Sequence, residues 1–220
     1  DEPFSSVDTP VRTLLTEQLQ TLQERLGFGM LLVTHDVSEA YALASELVLM
    51  SEGHVIQQGP RENVFHEPIS AEAARLLGFR NLLLGQVMGD NGASTVVDVQ
   101  GVRVYSSFGG LPRDTLVLCG IRPQAISLVP LEDKTSKVLD NFQPVTITQR
   151  TDRGVRSEVT FAMDGHDGPL LHTEIDILDL STGLVPGTRW QAVIPQSAVH
   201  LWPAHQDEIG PENSSNRISL

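Results

Sequence analysis

The spacing of apolar residues changes character near position 84, and this change limits what the chain can fold into more than any other feature. Up to Leu84 helical and strand-like patterns alternate. Asp8-Thr9-Pro10 reads as a helix start, with a polar cap and a proline in the first turn. Val11, Leu14, Leu15, Leu19, Leu22 and Leu26 then follow the three-to-four spacing of an amphipathic helix, which Gly27 ends. Met30 to Val33 and Leu47 to Met50 are short unbroken apolar runs, the pattern of strands buried on both faces of a parallel sheet. A second helix is expected from Val37 to Ser45, and a tight turn at Ser51-Glu52-Gly53 leads to a hairpin partner at His54 to Gln57. Short helices follow around Pro60 to Phe65 and Ser70 to Leu77. The alternation predicts an α/β layer over residues 1–84.

Beyond Gly85 short strands separated by turn signals predict a small all-β barrel or sandwich over residues 85–203. They fall at Gln86 to Met88, Thr95 to Val99, Val102 to Tyr105, Thr115 to Ile121 and Val145 to Thr148, then at Glu158 to Ala162, Leu170 to Ile175 and Trp190 to Ile194. Residues 204–220 carry few apolar side chains and are expected to be disordered. The formal net charge of -13, with no cluster of Lys and Arg, speaks against a nucleic-acid partner. So does an aromatic content of 5%, too low for the stacking platforms of an oligonucleotide-binding barrel. Cys119 is the only cysteine and lies in an apolar run, so it reads as a buried hydrophobe in a reducing compartment. No apolar run is long enough to span a bilayer. The first residue is Asp1 and not Met, from which a missing upstream piece is expected.

The candidate chemistry depends on order rather than on any single residue. Alone, Asp1-Glu2-Pro3 is ordinary solvated charge, and His35 after an apolar run is ordinarily a hydrogen-bonded structural histidine. In sequence, however, Asp1-Glu2-Pro3-Phe4-Ser5-Ser6-Val7-Asp8 precedes a leucine-rich helix, followed by Leu31-Leu32-Val33-Thr34-His35-Asp36, Ser38-Glu39-Ala40 and Val48 to Gly59. This series resembles the second half of an ATP-binding-cassette (ABC) ATPase from the Walker B segment onward, and the resemblance runs to about Gly78. It implies a partial P-loop ATPase domain. Asp1 would help hold Mg²⁺ on ATP through water, and Glu2 would polarise the attacking water. Asp8 lies in the segment that couples two nucleotide sites across a dimer, and His35 would contact the terminal phosphate. Phosphoryl transfer needs these services: charge neutralisation by a metal, oriented water, and a donor to the transferring oxygens.

The chain contains no Gly-x-x-x-x-Gly-Lys-Ser/Thr, so the loop that cradles phosphates is absent and these residues alone should not bind ATP appreciably. Loss of the strands that would cover Met30 to Val33 and Leu47 to Met50 should also leave apolar surface exposed and the first part loose.

Gly59 to Phe65 with Pro68, then Ala74 to Asn81, resembles the join between ATPase and accessory domain in importers of anions, iron, polyamines and sugars. Gly120-Ile121-Arg122-Pro123 is similar to a signature of the TOBE domain, an OB-like β barrel, and Pro195 to Trp202 to its closing strand. Arg122 is read as a brace for the turn before Pro123. The resemblance implies a homodimeric ATPase on the cytoplasmic face of the cell membrane. Its partners would be transmembrane permease subunits and, indirectly, a substrate-binding protein. Residues Leu76 to Leu83 lean toward molybdate or sulfate import, with iron and polyamines behind. The rival reading is a non-catalytic TOBE module for ligand sensing and dimerisation. His166 and His172 with Arg150, Arg153 and Arg156 could serve an anion, although solvated surface charge is the better reading.

Overall fold

Helix caps and hairpin turns set the architecture of the amino-terminal part. The computed structural model describes residues 2–4, 7–90, 92–131, 140–163, 168–176 and 183–204. It divides into two units, Asp1–Gly78 and Phe79–Leu220. Position 84, where the sequence changes texture, lies in the middle of a strand of the second unit. Of the tail expected to be disordered, 204–220, Ala204 donates its N–H to the Leu116 carbonyl at 2.9 Å, and the residues from 205 onward lie outside the described ones.

In the first unit α1 (Thr9–Leu26) carries Pro10 in its first turn and stops at Gly27, whose left-handed backbone (φ 65°) lets its N–H return to the Gln23 carbonyl. Asp36 caps α2 (Val37–Leu43), its carboxylate accepting from the backbone N–H groups of Ser38 at 2.8 Å and Glu39 at 3.1 Å. β1 (Glu46–Ser51) turns at Glu52-Gly53, both with positive φ, into β2 (His54–Pro60). The helices α3 (Arg61–His66) and α4 (Ala71–Leu76) follow, the latter capped by the Ser70 hydroxyl.

The expected parallel α/β layer is not formed among the described residues. Residues 28–34 carry no strand, and Leu31 is 92% exposed. β1 is a strand but pairs antiparallel with β2, and it buries Leu47 while leaving Val48 and Met50 exposed. The physical reason is edge pairing. A doubly buried strand needs a neighbour on each side, and among the described residues the run ending at Val33 is met there by a bond from the Glu2 N–H to the Val33 carbonyl at 2.7 Å. Val11, Leu14, Leu22 and Leu26 of α1 are exposed as well.

The second unit is all β with two antiparallel five-stranded sheets. Its strands are β3 (Asn81–Asp90), β4 (Thr95–Val99), β5 (Val102–Ser106), β6 (Leu116–Ile121), β7 (Ser127–Val129), β8 (Asp140–Arg153), β9 (Arg156–Met163), β10 (Leu170–Asp176), β11 (Arg189–Pro195) and β12 (Val199–Pro203). The sheet orders are β12-β6-β3-β4-β5 and β7-β11-β8-β9-β10. Written in this way the two orders show an internal duplication: β3 to β7 repeats as β8 to β12, and each half closes the other half's sheet with its last strand. A 3-10 turn precedes each exchanged strand, at Pro123–Ala125 and at Gln196–Ala198. The shared core includes Val97, Val117, Ile121, Ile147, Phe161, Leu171 and Ile194.

Two buried asparagines stand at equivalent places. The Asn81 amide donates to the carbonyls of Ile121 at 3.1 Å and His172 at 2.9 Å, and its oxygen accepts the His172 N–H at 2.7 Å. The Asn141 amide donates to Tyr105 at 2.9 Å and Ile194 at 3.1 Å, and accepts the Tyr105 N–H at 2.6 Å. The hydroxyls repeat the relation: Ser106 donates to the Val199 carbonyl at 2.6 Å, and Thr173 to the Ile126 carbonyl at 2.8 Å. Each carboxamide replaces a missing neighbour strand at a sheet edge. Asn81→Ala leaves buried backbone groups without partners and should cost about 3 kcal/mol. Urea denaturation followed by the fluorescence of Trp190 and Trp202, both in this unit, measures it. A loss below about 1 kcal/mol would show that the amide does not hold the sheet edge.

Candidate functional site

The cap of α2 creates the first candidate site. Thr34 and Asp36 flank His35 at the corner where residues 28–34 turn into α2, and the bond from Glu2 to Val33 brings Glu2 alongside. His35 Nδ1 lies 2.8 Å from Glu2 Oε1. Both side chains are open to solvent, His35 at 76% and Glu2 at 45%. The hydrogen bond to Glu2, reinforced by its charge, raises the His35 pKa above its ordinary value against an opposing desolvation effect.

Behind this pair is a cleft of about 40 Å³ lined by Glu2, Arg12, Thr34, His35, Asp36 and Glu39. Arg12 approaches Asp36 at 3.6 Å and Glu39 at 3.4 Å, and the Thr34 hydroxyl donates to Glu39 at 2.9 Å.

Of the residues singled out in the sequence, the fold therefore brings Glu2 and His35 together. Asp8 heads α1 with an extended backbone, makes no side-chain cap bond, and is not among the residues lining the cleft. Asp1 lies outside the described residues. Arg12, Thr34 and Glu39 were not singled out. The spacing of Asp36 and Glu39, a cap residue followed three places on by glutamate, is the signal that could have drawn attention to this corner.

Three carboxylates face one guanidinium and one imidazole here. This donor set suits the orientation of water and the outer sphere of a hard cation. By itself it does not suit a polyphosphate, which requires clustered amides and a lysine. Among the described residues there is no group of three or more His, Cys, Asp or Glu placed to hold a metal ion.

In the second unit the Arg122 guanidinium stacks over the Phe79 ring at 4.3 Å, and burial pushes its pKa down to about 10. Phe79 in turn meets Trp202 edge-on, and Trp202 lies so close to Gly120 that any β-carbon there would come within 2.4 Å of the indole. The arginines considered for an anion each face a carboxylate: Arg150 with Asp152 at 2.8 Å, Arg153 with Glu158 at 2.9 Å and Arg156 with Glu174 at 3.5 Å. His166 lies outside the described residues. Cys119 is buried, and its thiol is pushed up to about 12, so it carries no nucleophile at neutral pH.

His172 is solvent-exposed on β10, and partial desolvation of its ring first, then the Arg80 charge, lower its pKa. The folded state thus binds its proton less readily than the unfolded chain. The stability of this unit is intact above the ordinary value of 6.5 and falls as pH drops through it. Urea midpoints at about pH 7.5 and about pH 5.5 should differ, and His172→Gln should shrink the difference. An unchanged difference in the variant would assign the effect to other groups.

No family model matches the chain. Among solved structures, the chain is similar to the cytoplasmic molybdate-binding protein ModG, crystallised with molybdate bound. The TM-score is 0.50 with 21% identity, over 57% of this chain and 97% of that one. At this identity the likeness shows fold alone, and the fold is an OB/TOBE-like β domain.

Proposed function

We propose that these residues belong to the ATP-hydrolysing subunit of an ABC import system, with a TOBE-type domain following the catalytic corner. The observation that carries this reading is the Glu2–His35 pair at 2.8 Å, formed by the two residues that the ordered motif series selects. Glu2 orients water by accepting its proton, and His35 presents a ring N–H toward the same space. ATP supplies the transferable phosphoryl group and Mg²⁺ the charge neutralisation; the phosphate-cradling loop they require is not among the 220 residues. The partners in this reading are a second ATPase subunit, transmembrane permease subunits and, through them, a substrate-binding protein. The working place is the cytoplasmic membrane face. No helix among the described residues is long and apolar enough to cross a membrane.

The imported solute in this reading is an inorganic oxyanion such as molybdate or sulfate, with iron or a polyamine as the alternative. The likeness of the β unit to a molybdate-binding protein supports the oxyanion. The acid-rich lining of the cleft, which by itself does not suit a polyphosphate, favours a second reading. In it the chain is a non-catalytic module for ligand sensing and dimerisation, and an oxyanion would be bound by the β unit and not by this cleft.

The reading frame upstream of the Asp1 codon separates the two. A phosphate-binding loop and a Ser-Gly-rich signature there support the ATPase. In the protein so encoded, Glu2→Gln should lower ATP turnover by about 10²–10⁴-fold while ATP still binds. A start codon close to Asp1 with no such loop, or full turnover in Glu2→Gln, contradicts the ATPase reading.

A further inference from the structure

Glu2 and His35 meet across 33 residues of sequence with both side chains in solvent, so their own contact is too weak to fix the geometry. The backbone beneath them must be held by something else. Arg12 reaches all of its parts from one turn of α1. Its Nη2 donates to the Val7 carbonyl at 3.2 Å, on the segment that leads from Glu2 into the helix. Its Nη1 lies 3.6 Å from Asp36 Oδ2 and its Nε 3.4 Å from Glu39 Oε1, both ion-pair distances, and Nε is buried without a hydrogen bond.

Glu39 is a buried carboxylate, and its other oxygen accepts the Thr34 hydroxyl at 2.9 Å. Thr34 Oγ1 in turn accepts the Asp36 N–H at 3.0 Å. Both neighbours of His35 are therefore tied to Arg12, Asp36 directly and Thr34 through Glu39. We propose that Arg12 is the positioning residue that sets His35 against Glu2, acting through Glu39, Thr34 and Asp36.

The functional meaning of this inference rests on the reading of Glu2 and His35 given above, whereas its geometry does not. A buried glutamate deprived of its cation must move toward water or find another donor. Either response releases Thr34 and with it the corner that carries His35. A plain structural role, in which Arg12 only fastens α1 to α2, would change the stability of the first unit and leave the environment of His35 as it is.

The test is an NMR titration of the histidine rings in the full chain, with the His35 signal identified by its loss in His35→Gln. The charged groups around that ring are Glu2, Asp36, Glu39 and Arg12. In the unmodified chain His35 should titrate above the ordinary value, and Glu2→Gln should bring it down. Arg12→Gln should bring it down by most of the same amount with Glu2 untouched, and Arg12→Lys should restore part of it.

Thr34→Val cuts the relay at its middle without removing a charge. It should lower the value too, and it decides the matter if Arg12→Gln fails to fold. The proposal is overturned if Glu2→Gln lowers the value while Thr34→Val and a folded Arg12→Gln leave it unchanged. It is overturned also if Glu2→Gln has no effect, since no pair then exists to be positioned. Nucleotide plays no part in the titration. Failure of the ATPase reading therefore leaves the result unchanged, and a result against Arg12 leaves that reading as it was.

Discussion

The exchange of closing strands between the two halves of the β unit is the constraint on which the rest of that unit depends. β7 completes the sheet built by the second half, and β12 the sheet built by the first. Neither half can bury its core residues without the other, so the duplication is a single structure and not two domains in series. Asn81 and Asn141 seal the places where the halves meet, each supplying one donor pair and one acceptor where a neighbouring strand is missing. Around this frame the Gly120 backbone allows Trp202 to lie flat on the sheet, and the stacking of Arg122 on Phe79 occupies the adjoining surface. The resemblance to a TOBE signature at Gly120 to Pro123 thus falls on a turn whose first purpose is to launch an exchanged strand.

Local chemistry made much of this visible in the sequence. Pro10 and Gly27 bound α1, and each expected strand of the β region overlaps an observed one, because turn residues and alternating burial are local signals. The duplication was not legible. Its halves share few identities at equivalent positions, such as Asn81 with Asn141, Ile121 with Ile194 and Ala125 with Ala198, and strand exchange leaves no mark on the sequence of either half. The apolar run at Met30 to Val33 reads as a buried strand because hydrophobicity reports the wish for burial and not the presence of a neighbour. In the described chain the neighbour is reduced to one bond from Glu2, and the run stays open.

At the corner before α2 the motif series pointed to Glu2 and His35, and the two side chains meet there. What sequence order did not reveal is the layer beneath. Arg12 looks like one more charged residue on an amphipathic helix, and Glu39 like an ordinary first-turn acid. Their role comes from burial and from convergence on one turn, which only three-dimensional placement supplies. An apolar stripe of α1 and two apolar side chains of β1 are exposed in the first unit.

The two proposed readings call for different ligands, a nucleotide at the Glu2–His35 corner and an oxyanion on the β unit. Equilibrium binding measured by calorimetry on this chain separates them, with Mg-ATP run beside molybdate, tungstate and sulfate. The account predicts heat from an oxyanion and none from nucleotide, since the β unit would serve the transported solute while the phosphate loop is absent. Tight binding of Mg-ATP by these 220 residues would contradict it, because the donor set around Glu2 and His35 would then be holding a polyphosphate without that loop.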